Sequence, residues 1–571
     1  MIHRRQRKLT CLLVNLTVVL FLQATGHGDE LPKHGLNAVS DRGMVVSVSR
    51  DASEVGQRVL DAGGNAVDAA VAVGFALAVT WPEAGNIGGG GFMLVHPPQG
   101  QAPAMFDYRE CAPAAATVDM FATGDESQYR LVGVPGTVRG LELAHRRFGR
   151  LKWAALVRPA VELARDGFVV SQELAQSLNT VLAANRDNGE LQRVLGKDGG
   201  SRPWQQGDHL VQPDLAKTLQ RIAEQGSPGF YEGPTADAIE QEMRRGGGLI
   251  TKADLAAYEA KERTPVRGTY RGFDIYASAP PSSGGIVLLE MLNAVEGFQL
   301  RREGRWSAKT LHVMVEAMRR AYCDRARYLG DPDFNTIPEF LTSKEYGAKL
   351  AESISLTRAT PSAEWGADIY LPAENEHTTH YSIVDHDGMA VSNTYTLEDE
   401  FGSRIVVRGA GLLLNNEMGD FNPKPGVTNA KGLIGTKPNL VAPAKRMLSS
   451  MCPVIVSKDG RAVLVTGSPG GRTIINTLFC VIMNVLEFEM PLREAVDAPR
   501  MHHPWMPDTL RIEERLQKEH HSELQRLREM GHSIEEPPKR QGDAHSIFIS
   551  RDTGKRLGVG DLRRHGWAAG Q

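Results

Sequence analysis

Cysteine is scarce in this chain: five residues in 571, with no CxxC pair and no metal-ligand spacing. That excludes a disulfide scaffold and the common zinc motifs. Cys111, Cys323, Cys452 and Cys480 are widely spaced and read as buried small apolar residues, with room for one disulfide. Charge of one sign is lacking too. Lys and Arg number 65 against 68 Asp and Glu, a formal net charge of −3 without a long basic face. Neither nucleic acid nor an anionic membrane surface is implied as a partner. Beyond the N-terminus no apolar run is long enough to span a bilayer. No internal repeat or low-complexity block is present. The glycine run Gly85–Gly91 does not fit GxGxxG, and Gly467–Gly471 is not a GxSxG elbow, which argues against a dinucleotide site and a serine hydrolase of that type. His502-His503 and His520-His521 have no acidic cluster at ligand spacing. No metal and no cofactor is expected.

What is present begins with a targeting pattern. Arg4, Arg5, Arg7 and Lys8 precede an apolar run from Leu9 to Leu22, followed by Ala24-Thr25-Gly26. This reads as a signal peptide, residues 1–26, too short in its apolar part for a membrane anchor. Cys11 leaves with it, and the mature chain is expected to be periplasmic or secreted.

The remaining sequence, 41% hydrophobic overall, is ample for a large core. Ser53 is placed to cap a helix running to Ala62, ended by Gly63-Gly64, and Asn65 to cap an Ala-rich buried helix from Ala66 to Val79. Phe92–Val95 reads as a buried strand. Helical signals dominate residues 136–345: Val138–Phe148, Trp153–Asp166, Ala216–Glu224, Ala236–Arg245 and Ala308–Leu329. From Thr378 strands take over: His380–Asp385, Ala390–Thr396, Arg404–Val407, Pro453–Val456 and Ala462–Thr466, then one helix from about Gly471 to Phe488. Periodicity alone gives a mixed α/β fold.

The most informative stretch is Thr378-Thr379-His380-Tyr381-Ser382-Ile383-Val384-Asp385, after the polar run Ala373-Glu374-Asn375-Glu376-His377. It reads as a strand headed by two hydroxyl residues, with a turn at Asp385–Gly388 and a returning strand. A chain cut before Thr378 would carry a hydroxyl and a free amine on one residue, a nucleophile with its own base. Gly470-Gly471 lies between a strand and a helix N-terminus, where backbone N–H groups suit an oxyanion hole.

At these residues the chain resembles the γ-glutamyltransferase (γ-glutamyltranspeptidase) family of N-terminal-nucleophile hydrolases. Supporting blocks in family order are Gly64–Ala69, Gly88–Phe92, Asp107-Tyr108-Arg109-Glu110, Pro281-Ser282-Ser283-Gly284-Gly285, Leu414–Phe421, Leu448–Met451 and Thr466–Gly471. The resemblance runs from about residue 40 to the C-terminus. It implies a four-layer αββα sandwich, an α/β (α+β) fold. It also implies autocatalytic cleavage between His377 and Thr378 into a large subunit, residues 27–377, and a small subunit, 378–571, that form a heterodimer. Thr378 is then the nucleophile, Thr396 the hydroxyl contacting it, and Gly470 and Gly471 the oxyanion site. Arg109, Ser449 and Ser450 match the carboxylate-binding positions, and Glu417 and Asp420 the ammonium-binding pair, with cation and acids on opposite sides of a γ-glutamyl group. Glu398 stands where many members carry Asn, and remains an acceptor for an ammonium. Residues 422–441 resemble the lid loop, with Lys431 where some members have a gating aromatic. The implied reaction is cleavage of glutathione and other γ-glutamyl amides, with water, an amino acid or a peptide as acceptor. A related cephalosporin or glutaryl acylase is the first alternative. An unprocessed, inactive binding protein is the second.

Overall fold

Period-two alternation sorts the central strands into two faces. In Met44–Ser47, Gly90–His96 and Ala104–Asp107, the side chains of Val45, Met93, Val95 and Phe106 join one core, and those of Met44, Val46, Phe92, Leu94 and Met105 join another. Strands buried on both faces belong inside a multilayer sandwich. The computed structural model describes residues 32–98, 101–122, 127–365, 377–423 and 436–571. The segment read as a signal peptide and Lys431 lie outside these residues.

One antiparallel sheet has eight strands in the order His34–Gly35, Trp567–Gly570, Met44–Ser47, His377–Val384, Ala390–Glu398, Gly90–His96, Ala104–Asp107 and Lys261–Arg263. The other has seven: Asn37–Ser40, Arg556–Val559, Ser546–Ile549, Arg461–Thr466, Val454–Lys458, Phe273–Ala277 and Val266–Tyr270. Helices Ala66–Thr80 and Thr137–Phe148 cover the outer face of the first sheet, backed by Trp153–Asp166 and Pro213–Gln225. Helices Gly284–Glu296, Ala308–Tyr328 and Thr473–Ile482 form the layer outside the second. The result is the expected four-layer αββα sandwich. In both sheets strands from before residue 377 are hydrogen-bonded to strands from after it.

The Ala66–Thr80 helix is buried along its whole length, which explains its lack of a polar face, and Asn65 caps it in a capping box with Asp68. The preceding helix differs from expectation. It spans Arg50–Asp61 and is capped by Ser49, while the Ser53 hydroxyl donates to the Trp567 carbonyl. Arg404–Val407 forms no strand, only a bridge from Val406 to Leu413. The helix expected to reach Phe488 is α-helical over Thr473–Ile482 and widens into a π turn at Met483–Glu487. The hairpin Val266–Tyr270/Phe273–Ala277 was not expected in the helical half. Its Arg271-Gly272 turn has φ of 49° and 79°, the left-handed pair a two-residue hairpin needs. Cys111, Cys323, Cys452 and Cys480 form no disulfide with one another, and burial pushes the Cys111 and Cys452 thiols up to about 12, which makes those two unreactive packing groups. Among the described residues no helix is long and apolar enough to cross a membrane.

Candidate active site

The hairpin His377–Val384/Ala390–Glu398 slips at its open end. His377 pairs with Glu398 and Thr379 with Tyr395, so Thr396 and Leu397 together stand opposite Thr378. Thr379, Tyr381 and Tyr395 turn toward the outer helices, which leaves Thr378 and Thr396 on the face between the two sheets. Along that face the layer is polar: the buried His380 ring shares hydrogen bonds with Thr394 Oγ1 (2.8 Å) and Ser382 Oγ (3.0 Å). Burial lowers the His380 pKa well below its ordinary value, so the ring is neutral. Thr378 is 9% exposed and Thr396 3%. The slip ends at Glu398, whose φ of 79° lies in the left-handed region that Asn tolerates better than Glu. Strain of this kind persists where its surroundings over-determine it, and here the Glu398 N–H donates to Thr396 Oγ1 at 2.8 Å.

Thr378 opens into a recess also lined by Thr396, Arg109, Glu398, Glu417, Asp420, Ser449, Ser450 and Gly471, with Met451 and Ile474 as its apolar wall. Gly470, the residue before Gly471, is not among the lining residues. It has φ of 127° and Gly471 of 50°, and a Cβ on Gly470 would meet Thr473 Oγ1 at 2.5 Å. The turn is closed by the Thr473 N–H donating to the Gly470 carbonyl (2.9 Å), at the N-terminus of the Thr473–Ile482 helix.

Arg109 is fixed from three sides. Its N–H donates to Asp107 Oδ1 (3.0 Å), and Asp107 is held in turn by Arg263 Nε at 2.7 Å. Nε and Nη2 donate to the Met447 and Leu448 carbonyls, both at 3.3 Å. Nη1 is ion-paired with Glu417 and Nη2 with Asp420. The cation and the two acids were expected on opposite sides of the site; in the structure they are in contact. Glu417 and Asp420 begin and end a single 3₁₀ turn, which brings both carboxylates to one guanidinium. Its start is set by Asn415, whose Oδ1 accepts from the Glu417 N–H (3.1 Å) and whose Nδ2 donates to the Gly88 and Gly133 carbonyls (2.8 Å each). A fourth acid, Glu110, lies 3.7 Å from Arg109 Nη1 with no hydrogen-bond partner for either oxygen among the described residues. Burial pushes its carboxyl up to about 8 against the pull of Arg109. Burial raises Glu398 and Glu417 as well, and neighbouring acids add to the effect. Two of these acids, Glu110 and Glu417, are fully buried beside one guanidinium, which favours their neutral forms. Glu110 is absent from the residues singled out by sequence, although it stands beside Arg109 in the same block.

Ser449 and Ser450 face the recess from a segment stitched to the Pro281–Gly285 block. The Ser283 N–H donates to the Ser449 carbonyl (2.8 Å), and the Ser449 N–H to the Pro281 carbonyl (3.0 Å).

Away from this recess, His312, Glu316 and His532 come within metal-ligating distance of one another. Most of their bonds are matched within the protein, and His532 Nδ1 alone of the ring nitrogens has no hydrogen-bond partner among the described residues. His312 Nε2 donates to the Ser355 carbonyl (2.6 Å), which leaves Nδ1 to accept from His532 Nε2 (2.7 Å). Burial pushes the Glu316 carboxyl up, but Arg319 and Arg320 outweigh it and hold the group at about 2. Two guanidiniums on the only carboxylate suit a buried hydrogen-bonded cluster and oppose a divalent cation. The His502-His503 side chains diverge, to Asn476 and to Asp508.

The fold is that of the N-terminal-nucleophile hydrolases, and the hydroxyl-bearing recess lies between its two sheets. The sequence profile of the gamma-glutamyltranspeptidase family matches residues 52–571, and the chain is an enzyme belonging to that family. It is 47% identical over 534 residues to the glutathione hydrolase proenzyme of Escherichia coli strain K12, covering 91% of this chain and 90% of that one. Among solved structures it is similar to cephalosporin acylase from Bacillus halodurans, at 26% identity and a TM-score of 0.82 over 96% of this chain and 98% of that one. A chain of Helicobacter pylori gamma-glutamyltranspeptidase is 44% identical with a TM-score of 0.54, covering 93% of its own length but 55% of this one.

Proposed function

We propose that this protein is made as a precursor, cuts itself between His377 and Thr378, and then cleaves glutathione and related γ-glutamyl amides through an acyl-enzyme on Thr378. The observation that carries this reading is the shared recess: Thr378 and Thr396 line the same space as Arg109, Ser449, Ser450 and the acids Glu398, Glu417 and Asp420. The strength of the likeness to a glutathione hydrolase proenzyme supports it. So does the half-length coverage by the Helicobacter pylori chain, as expected of one fragment of a processed precursor.

In the precursor the Thr378 hydroxyl attacks the His377 carbonyl. The C–N bond breaks as an ester forms, and water hydrolyses the ester to a His377 carboxylate and a free Thr378 amine. A terminal amine has a pKa near ~8, close to working pH. It takes the Oγ proton as Oγ attacks the γ-carbonyl of the donor, and passes it to the departing amine. The Gly470-Gly471 turn faces the developing oxyanion. Water then hydrolyses the acyl-enzyme, or an amino acid or peptide accepts the glutamyl group. On the donor's α-carbon, the carboxylate takes Arg109 from Glu417 and Asp420, and these acids, released, receive the ammonium together with Glu398. Ion-pair exchange of this kind keeps Arg109, Glu417 and Asp420 paired before and after the donor binds. Strand interleaving in both sheets supports a permanent heterodimer of fragments 27–377 and 378–571. The leader 1–26 directs the protein to the periplasm or outside the cell.

The acylase reading is favoured by the fit to cephalosporin acylase. A glutaryl group has the carboxylate but no ammonium, and it would leave Glu417 and Asp420 displaced and unpaired. Release of one chromogenic amine from γ-glutamyl and from glutaryl donors decides between the two. Clear preference for γ-glutamyl is expected; equal or faster glutaryl turnover overturns the proposal.

A further inference from the structure

The Pro281–Gly285 block and the helix Ala308–Tyr328 carry a residue that no part of the reaction has yet used. Arg325 is 1% exposed. Its Nε donates to Ser283 Oγ at 2.9 Å and its Nη2 to Ser450 Oγ at 2.9 Å. The Ser283 hydroxyl in turn donates to the Ser449 carbonyl at 2.7 Å. One guanidinium therefore grips both sides of the Ser449-Ser450 corner, directly at Ser450 and through Ser283 at Ser449. Ser282 forms a parallel bridge with Ser449, so the corner is laid against the block over consecutive residues.

The direction of the bonds matters. Arginine has five donors and no acceptor. Ser450 cannot donate to Arg325, so the guanidinium occupies a lone pair of Oγ and turns the hydroxyl hydrogen away from itself. Ser450 lines the recess with Arg109 and Thr378. Toward an anion in that recess its hydroxyl acts as a donor, polarised by the charge bonded to its oxygen.

We propose that Arg325 is a positioning residue of the carboxylate side of this recess: it fixes the Ser449-Ser450 corner and holds the Ser450 hydroxyl as a donor to the acyl donor's carboxylate. This rests on reading the recess as the acyl-donor site. Lysine at 325 keeps the charge but has one nitrogen for two hydroxyls, so it cannot hold Ser283 and Ser450 together.

The test runs on whichever chromogenic donor the wild type turns over, γ-glutamyl or glutaryl. Both carry the carboxylate, so the result is independent of which acyl group is preferred. Arg325→Lys should be processed normally and show donor KM raised roughly 10- to 100-fold, with kcat within about twofold. In a Ser450→Ala background the same substitution should add less than about threefold, because its target is gone. A KM unchanged by Arg325→Lys, or an equal penalty with and without Ser450, overturns the proposal. Should Arg325→Lys fail to fold, Ser283→Ala replaces it. That variant loosens one of the two anchors and should raise KM several-fold without changing kcat; equal loss in kcat and in KM marks a structural role and rejects positioning. Turnover of neither donor by the wild type overturns both this proposal and the reading on which it rests.

Discussion

The Arg109 guanidinium and the Glu417 carboxylate form an ion pair whose side chains are 1% and 0% exposed. Asp420 takes the adjacent nitrogen of the same guanidinium. In the proposed reading, the carboxylate of a zwitterionic α-carbon replaces the acids on Arg109 and its ammonium rejoins them. Several measurements test that reading.

Arg109→Lys keeps the positive charge but loses the two-nitrogen fork. Donor binding should weaken by about 1.5–3 kcal/mol, read as a higher KM, while cleavage of the precursor continues. Unchanged KM for a γ-glutamyl donor would remove Arg109 from the carboxylate role.

Donor affinity should depend on pH with a definite sign. Burial raises the Glu110 carboxyl to about 8, and Glu398 and Glu417 also titrate above the ordinary carboxylate range. In the proposed reading an ammonium binds the ionised forms of Glu398 and Glu417, so donor KM should fall as pH rises above the ordinary carboxylate range. Glu417→Gln should flatten that slope. Glu110 makes a stability prediction. Its folded-state pKa is raised, so its favourable contribution is present in full below the unfolded value near 4.5 and is lost as pH rises to about 8. Melting temperature measured on wild type and Glu110→Gln between pH 5 and 8 should show the wild type losing ground with rising pH. Parallel profiles would mean Glu110 is not held protonated.

Gly470→Ala places a Cβ at 2.5 Å from Thr473 Oγ1 on a backbone with φ of 127°. Folding stability should drop by about 1–3 kcal/mol. If the turn serves the oxyanion, kcat should fall by ~10²-fold or more with little change in donor KM. A loss confined to KM would point to a binding role.

If the chain is cut between His377 and Thr378, strand residues 378–384 stay between Met44–Ser47 and the hairpin partner Ala390–Glu398, which itself lies against Gly90–His96. The two fragments should therefore elute together in native gel filtration and part only in denaturant. Separation under native conditions would contradict the shared-sheet heterodimer.

Much of this arrangement is legible in the sequence where local signals are strong. Asn65 with Asp68 marks a helix start, and Gly470-Gly471 marks a strand-to-helix turn. Thr378 stands out because a Thr freed at the head of a strand would carry a hydroxyl and an amine on one residue. Nine of the ten singled-out side chains or glycines line one recess, and Gly470 is the neighbour of one of them, Gly471. What escaped was set by tertiary contact. Ser53 has a capping side chain, but Trp567 claims it from the far end of the chain. Glu110 carries no signal of its own in the Asp107–Glu110 block, and only its burial makes it an acid with a raised pKa. Arg325 sits in a helix whose periodicity says only that it is buried or exposed, and its partners Ser283 and Ser450 are distant in sequence. The contact between Arg109 and the two acids is equally invisible, because complementarity to a ligand looks the same whether the charges wait apart or together.

Intact mass and N-terminal sequencing of the purified protein test the central claim most directly. A fragment beginning at Thr378 and ending at Gln571, paired with one ending at His377, is predicted, and Thr378→Ala should remain a single uncut chain. A small fragment beginning at any other residue, or a Thr378→Ala variant that is cut as efficiently as wild type, would contradict Thr378 as the nucleophile.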